Sequence, residues 1–247
     1  MKRIISSVLV ILILCVSAFS LTAFAWETPE LMLAADYNAE KQTITVYYRL
    51  LKFAGTESAD FRLKYNSDAL EMTDYTTTEI KDTIVEMKLS PKAILLTHGH
   101  FDHIGAAAKL REVYGIKIYA HEDERQIMTV PDYNLSNMCG VPFGLEADVY
   151  VKGDQVIDCI GMDIKVMHTP GHTSGSCCYY FEKYSTLFSG DTLFYQSHGR
   201  YDFPTGSAKQ IMESITGKLF GELSDDVVVL PGHNGDTTIG DEKQWYR

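Results

Sequence analysis

His98-Gly99-His100-Phe101-Asp102-His103 places three imidazoles and a carboxylate within six residues, in a chain that has 8 histidines in all. The run follows Ala93-Ile94-Leu95-Leu96-Thr97, a short apolar stretch suited to a buried strand. A turn leaving a strand cannot send four side chains to one point. It can divide them, so that His98 and His100 reach one ion while Asp102 and His103 reach another. Imidazole and carboxylate without thiolate suit Zn²⁺, with Fe or Mn as alternatives. The competing reading is a solvated polar turn, where single histidines commonly sit.

One segment supplies too few ligands for two ions. Three later positions fit, each expected at a strand end or in a loop: His172, Asp191 and His233. Each follows a glycine, which lets the backbone approach a crowded cluster. The remaining histidines have plainer readings. His121 opens a helical stretch as a cap or surface residue, His168 supports the His172 loop by a hydrogen bond, and His198 lies near Arg200 at the rim. None of these three is expected as a ligand.

Around these positions the chain alternates helix and strand. A helix is expected over 79–89, ending before Pro91, and a second over 103–114 with Ala106, Ala107, Leu110 and Val113 as its inner stripe. Strands are expected over 93–97, 117–120, 155–159, 163–168, 176–181, 185–189 and 227–230, and further helices over 122–128 and 207–219. Interleaved helices and strands imply an α/β layered domain.

Residues 26–78 read instead as β structure. Ile44, Val46, Tyr48 and Leu50 alternate with Thr43, Thr45, Tyr47 and Arg49, and Phe61, Leu63 and Tyr65 alternate with Arg62 and Lys64 before an Asn66-Ser67-Asp68 turn. The first 25 residues are different again. Met1-Lys2-Arg3 is a basic start, the run to Phe24 is almost wholly apolar, and Ala23-Phe24-Ala25 presents small residues at the −3 and −1 positions of a cleavage site. Cleavage before Trp26 is expected, giving a secreted or cell-envelope protein; an uncleaved membrane anchor is the competing reading. Otherwise the membrane is met only in transit.

The chain has 247 residues, with Lys+Arg 22 against Asp+Glu 33 and a net charge of −11. Loss of Lys2 and Arg3 with the leader would take that to −13. Such acidity argues against an electrostatic nucleic-acid binder and favours a small-molecule substrate. Cys139, Cys159, Cys177 and Cys178 remain after the leader. Adjacent Cys177 and Cys178 cannot easily bridge each other and point to opposite faces of a strand, so apolar burial is expected for at least one.

The motif His98-x-His100-x-Asp102-His103, followed by His172, Asp191 and His233, resembles the metallo-β-lactamase superfamily in spacing and order. The nearest branch is the glyoxalase II-type hydrolases, in their short one-domain form. Flanking runs carry the same likeness: Ile94-Leu95-Leu96-Thr97-His98, Thr169-Pro170-Gly171-His172-Thr173-Ser174-Gly175-Ser176, Ser189-Gly190-Asp191-Thr192-Leu193-Phe194, Leu230-Pro231-Gly232-His233, Gly199-Arg200-Tyr201-Asp202 with Gly206, and Thr237-Thr238-Ile239-Gly240. The resemblance spans 79–247. It implies an αββα layered fold with two Zn²⁺ per chain. His98, His100 and His172 would hold one, Asp102, His103 and His233 the other, and Asp191 would bridge them. It further implies hydrolysis of a thioester or related activated acyl bond, as in a hydroxyacylglutathione hydrolase. A hydroxide between the metals would attack, and Asp102 would orient it as the catalytic residue.

Two departures from the family stand out. Residues 26–78 lack the expected Asp-Pro-Gly turn and resemble part of a cohesin-like β-sandwich module. The first sheet layer is therefore expected to be incomplete or replaced. Either these strands substitute in the outer sheet, or the chain is a fusion whose hydrolase part, 79–247, lacks that layer. In the second case a cytoplasmic location is the expectation. The chain also stops at Arg247, without the helical domain that binds glutathione in longer relatives. Asp191 stands where classical zinc β-lactamases use cysteine, and both Asp102 and His103 are present, which disfavours a true β-lactamase. The alternatives kept are a lactonase or other ester hydrolase of the same fold, and an exported module that binds a partner protein through 26–78 while its hydrolase half is inactive.

Overall fold

The computed structural model describes residues 90–247, with Ile160 excepted, and before them the strands within 11–66 named below. The helix expected over 79–89, the Ala23-Phe24-Ala25 site and the turn at Ser67-Asp68 lie outside the described residues.

Strands β1 (Ile11–Cys15), β2 (Glu30–Asn38), β3 (Thr43–Leu51) and β4 (Ala59–Asn66) precede β5 (Ser90–Leu95), which leads into the histidine run. Two short helices follow, α1 (Phe101–Ile104) and α2 (Ala107–Tyr114). The single helix expected over 103–114 is thus two, interrupted at Gly105-Ala106, and the first begins early enough to carry Asp102. Gly115 closes α2 in the left-handed conformation at φ 63°. Next come β6 (Lys117–His121), a 3₁₀ turn at Glu122–Glu124, α3 (Arg125–Thr129) and β7 (Val149–Val151).

Four strands then run antiparallel: β8 (Val156–Cys159), β9 (Met162–His168), β10 (Cys177–Phe181) and β11 (Thr186–Gly190). A small hairpin of β12 (Leu193–Phe194) and β13 (Ser197–His198) follows. The helix α4 (Ala208–Met212) starts where the Ser207 hydroxyl accepts from the Gln210 amide. It continues as a π-helical stretch, Glu213–Leu219, and a last turn, Phe220–Glu222. The chain finishes with β14 (Val228–Pro231), β15 (Thr237–Thr238) and α5 (Ile239–Trp245). No helix among the described residues is long and apolar enough to cross a membrane.

The strands form a seven-stranded sheet in the order β4-β3-β2-β1-β5-β6-β7 and a six-stranded sheet in the order β15-β14-β11-β10-β9-β8. β1, within the segment read as an export leader, pairs antiparallel with both β2 and β5, and β5, β6 and β7 are parallel. Alternation along β5 explains the layering. Ala93 and Leu95 join Val151, Ile164, Val166, Tyr179 and Phe188 between the two sheets. Ile94 and Leu96 face the other way, against Ile104, Leu110 and Met128 of the first helical layer. On the far side, Ile211, Ile215, Leu219 and Ile239 cover Met167, Leu187 and Val229 of the second sheet. The order is helix, sheet, sheet, helix: an α/β sandwich of four layers.

Cys177 lies between the sheets and Cys178 under the helices, both buried, as is Cys159. Burial of at least one cysteine was the expectation; both are buried because β10 is covered on both faces. Cys139 lies outside the described side chains. The sheets meet at the histidine run, where Tyr179 donates to the Leu96 carbonyl at 3.0 Å and the Cys177 amide to the Thr97 carbonyl at 2.9 Å.

Candidate metal centre

Every donor singled out in the sequence arrives at one edge of the two sheets. His98 and His100 leave the end of β5, and Asp102 and His103 lie on α1. His172 sits in the loop between β9 and β10. Asp191 follows β11 and His233 follows β14. Those two strands are parallel neighbours, so Gly190 lies opposite Pro231 and the two donors emerge side by side.

The distances divide the donors into two groups. His172 Nε2 lies 2.9 Å from His100 Nδ1 and 3.2 Å from His98 Nε2. Asp102 Oδ2 lies 3.7 Å from Nε2 of both His103 and His233. Asp191 stands between the groups, with Oδ1 3.4 Å from His103 Nε2 and Oδ2 3.5 Å from His172 Nε2 and 3.3 Å from His233 Nε2. His98-His100-His172, Asp102-His103-His233 and His98-His103-Asp191 each bring one donor atom per residue within 4.8 Å of the others.

The protonation states suit a cation. Burial holds His98 and His100 well below the usual imidazole value, reinforced by neighbouring histidines, and burial likewise lowers His172. These rings are neutral lone-pair donors at neutral pH. Burial alone would raise Asp191, but His233 and His103 beside it outweigh that and keep its carboxyl well below the ordinary range. Asp102 is raised by its burial, with His103 and His233 pulling the other way. The Nδ1 of His172 donates to the Arg200 carbonyl at 2.6 Å, which leaves Nε2 as the lone pair facing the other histidines.

Unmet hydrogen-bonding capacity marks the same place. His100 Nε2, both ring nitrogens of His103 and Asp191 Oδ1 are buried without a hydrogen-bond partner. Leaving a buried polar group unsatisfied costs about 1–3 kcal/mol. A cation in each group would give His103 and Asp191 the partner that the protein does not supply, so the residues present fit the metals that the donor set implies.

His121, Asp123 and His168 form a further cluster of the same residue types. The rings of His121 and His168 stack at 4.2 Å and 10°, so their in-plane lone pairs run side by side instead of converging. His121 Nδ1 caps the 3₁₀ turn by accepting from the Asp123 amide, and His168 Nε2 meets the Ser174 carbonyl at 2.9 Å. His198 Nδ1 lies 2.9 Å from the Gly199 carbonyl and is in none of the donor groups.

Sequence reasoning missed Glu124. It lies in a run of Glu122, Asp123 and Glu124 that looks like a solvated face, yet it is fully buried. Burial pushes its carboxyl up to about 7, against hydrogen bonds from Thr173, Gly99 and Gly175 that pull it down. The folded protein therefore holds more protons than the unfolded chain between pH 4.5 and about 7. This group's contribution to stability falls as pH rises through that window, by about 3 kcal/mol in all. The stability–pH curve of metal-free Glu124→Gln is expected to lack that fall. Parallel curves for variant and wild type would show that the carboxyl titrates as it does in the unfolded chain.

A sequence model of the metallo-β-lactamase superfamily matches residues 74–233. The chain belongs to this superfamily. Its relatives mark it as a metal-dependent hydrolase. It is 33% identical over 165 residues to hydroxyacylglutathione hydrolase GloC of Haemophilus influenzae, a match covering 65% of this chain and 77% of GloC. Among solved structures, the BLEG-1 B3 metallo-β-lactamase superposes with a TM-score of 0.69 at 33% identity, covering 86% of this chain and 97% of that one. A di-iron-bound form of TTHA1623 superposes with a TM-score of 0.61 at 27% identity, covering 81% and 92%. The four-layer order and the strand-edge position of the donors are those expected of a metallo-β-lactamase superfamily domain.

Proposed function

We propose that this superfamily member hydrolyses a thioester or a closely related activated acyl bond, in the manner of a hydroxyacylglutathione hydrolase. The observation that carries the reading is Asp191, one carboxylate whose two oxygens face both histidine groups. The ligand assignment has His98, His100 and His172 holding one ion, Asp102, His103 and His233 the other, and Asp191 between them. Zn²⁺ suits the nitrogen and oxygen donors, and Fe is the alternative that the di-iron neighbour supports. When bound, such a pair supplies Lewis acidity for an acyl carbonyl and brings the pKa of water to about 7.

The chain's own residues do the rest. The three buried histidines of the first group stay neutral and stationary, and Arg200 fixes the tautomer of His172 through its carbonyl. Asp102, on the rigid first turn of α1, orients the attacking water by accepting its hydrogen. Phe203 stands edge-on to His100, with ring centroids 5.8 Å apart, and shields that side of the centre. The Arg200 guanidinium covers Phe203 at 4.2 Å and is paired at the rim with Asp202 at 2.7 Å.

Purified protein is expected to contain two metal ions per chain by elemental analysis and to hydrolyse S-lactoylglutathione. Chelation should abolish that activity, and Zn²⁺ should restore it. Protein that takes up no metal with all seven donors intact would overturn the reading. The BLEG-1 likeness favours a β-lactam as the competing substrate, so nitrocefin turnover without thioester turnover would move the assignment there. Export rests on the reading of residues 1–25 as a leader, yet β1 lies in that segment and pairs with β2 and β5. N-terminal sequencing decides between a form beginning at Trp26, which supports export, and one that keeps Ile11–Cys15, which overturns it.

A further inference from the structure

Glu124 is built into the protein between the two segments that carry the first histidine group. Its Oε2 accepts the Gly99 amide at 2.6 Å, between His98 and His100 in the chain. Its Oε1 accepts the Thr173 hydroxyl at 2.5 Å and the Gly175 amide at 3.0 Å, in the residues just after His172. Ser176 Oγ accepts the Thr173 amide at 3.1 Å and lies 2.6 Å from the Thr173 hydroxyl oxygen. Its hydrogen can therefore pass to Thr173 while Thr173 donates to Glu124. The approach is close enough to require glycine at both contact points. A Cβ on Gly99 would come within 2.9 Å of Glu124 Oε2, and one on Gly175 within 2.6 Å of the Glu124 backbone nitrogen.

We propose that Glu124 is a positioning residue that fixes the separation of His98 and His100 from His172, and with it the affinity and geometry of the first metal site. This rests on the reading of those three histidines as one ligand set. A carboxylate is suited to the task because it accepts at both oxygens and donates at neither. Glutamine is not. Its amide nitrogen would have to face either the Gly99 amide or the Gly175 amide, and neither backbone N–H can turn away. Loss of partners that orient metal ligands typically weakens binding 10–100-fold.

The test titrates metal-free wild type, Glu124→Gln and Thr173→Val with Zn²⁺ against a chromophoric chelator, and records the visible spectrum with Co²⁺. Wild type should bind two ions. Glu124→Gln should bind one of them at least tenfold more weakly and with an altered Co²⁺ spectrum. Thr173→Val, which removes one of three donors, should show a smaller shift in the same direction and serves if the glutamine variant does not fold. A merely structural role would lower the melting temperature of the metal-free protein but leave the affinity and the Co²⁺ spectrum of the folded protein at wild-type values. That result overturns the proposal alone. Failure of wild type to bind any ion would instead remove the ligand assignment, and the proposal with it.

Discussion

Asp191→Ala is expected to strip the centre of metal and to lower kcat/KM by on the order of a thousandfold or more, about 4 kcal/mol of transition-state stabilisation. Asp191 is the carboxylate that approaches both groups, at 3.3–3.5 Å from the Nε2 atoms of His103, His172 and His233. Its removal leaves the imidazoles of the two groups facing one another, with Asp102 as the one carboxylate left among the seven donors to offset two cations in a buried site. Asp191→Asn separates charge from shape: it keeps the volume and one acceptor oxygen and should retain some metal with most activity lost. Elemental analysis and steady-state rates on the same preparations check both. Two ions per chain and undiminished turnover in Asp191→Ala would show that this residue does not link the groups.

Gly171→Ala should cause a large loss of stability. Gly171 has a φ of +138°, a region that side chains rarely enter, and its Cβ would lie 2.2 Å from the backbone nitrogen of Ile211 and 2.4 Å from its Cα. Ile211 belongs to α4, whose Ser207 amide donates to the Gly171 carbonyl at 2.8 Å and whose continuation is tied back where Ser214 Oγ donates to the Pro170 carbonyl at 2.8 Å. The loop cannot yield without lifting the helix, so strain and clash together should cost about 3 kcal/mol or more. His172 would move with it. Gly217→Ala is the control: nothing lies within 4 Å of its Cβ, and a helical alanine there should be neutral or stabilising by up to about 1 kcal/mol. Urea unfolding of the metal-free proteins measures both. Equal midpoints for Gly171→Ala and wild type would contradict the close packing of loop and helix.

The donors were legible in the sequence because a metal site declares itself through residue type, and strand ends are easily marked by the apolar run before them. Asp191 and His233 needed only Ser189-Gly190 and Pro231-Gly232 to place them. Glu124 was illegible for the opposite reason. What buries it arrives from 25 residues before and 51 residues after, and nothing in its own neighbourhood distinguishes it from solvated Glu122. The division of 103–114 into α1 and α2 was likewise hidden, since the apolar stripe continues across Gly105. Helix α5 had a signal that went unused. Thr238 accepts from the Asp241 amide and donates to its carboxylate, a capping pattern visible as Thr238-x-x-Asp241. The two-residue strands β12 and β13 are too short for any periodicity to reveal.

The hydrogen that fixes the His172 tautomer goes to the main-chain oxygen of residue 200, and the side chain at that position takes no part. Arg200 itself is largely exposed and engages Asp202 and Phe203. Substitution at position 200 can therefore exchange the group presented to an incoming molecule while the ligand's proton stays where the peptide bond holds it. Selectivity can drift under selection at this position without the hydrolytic apparatus being rebuilt, which makes the mouth of the centre evolvable independently of its floor.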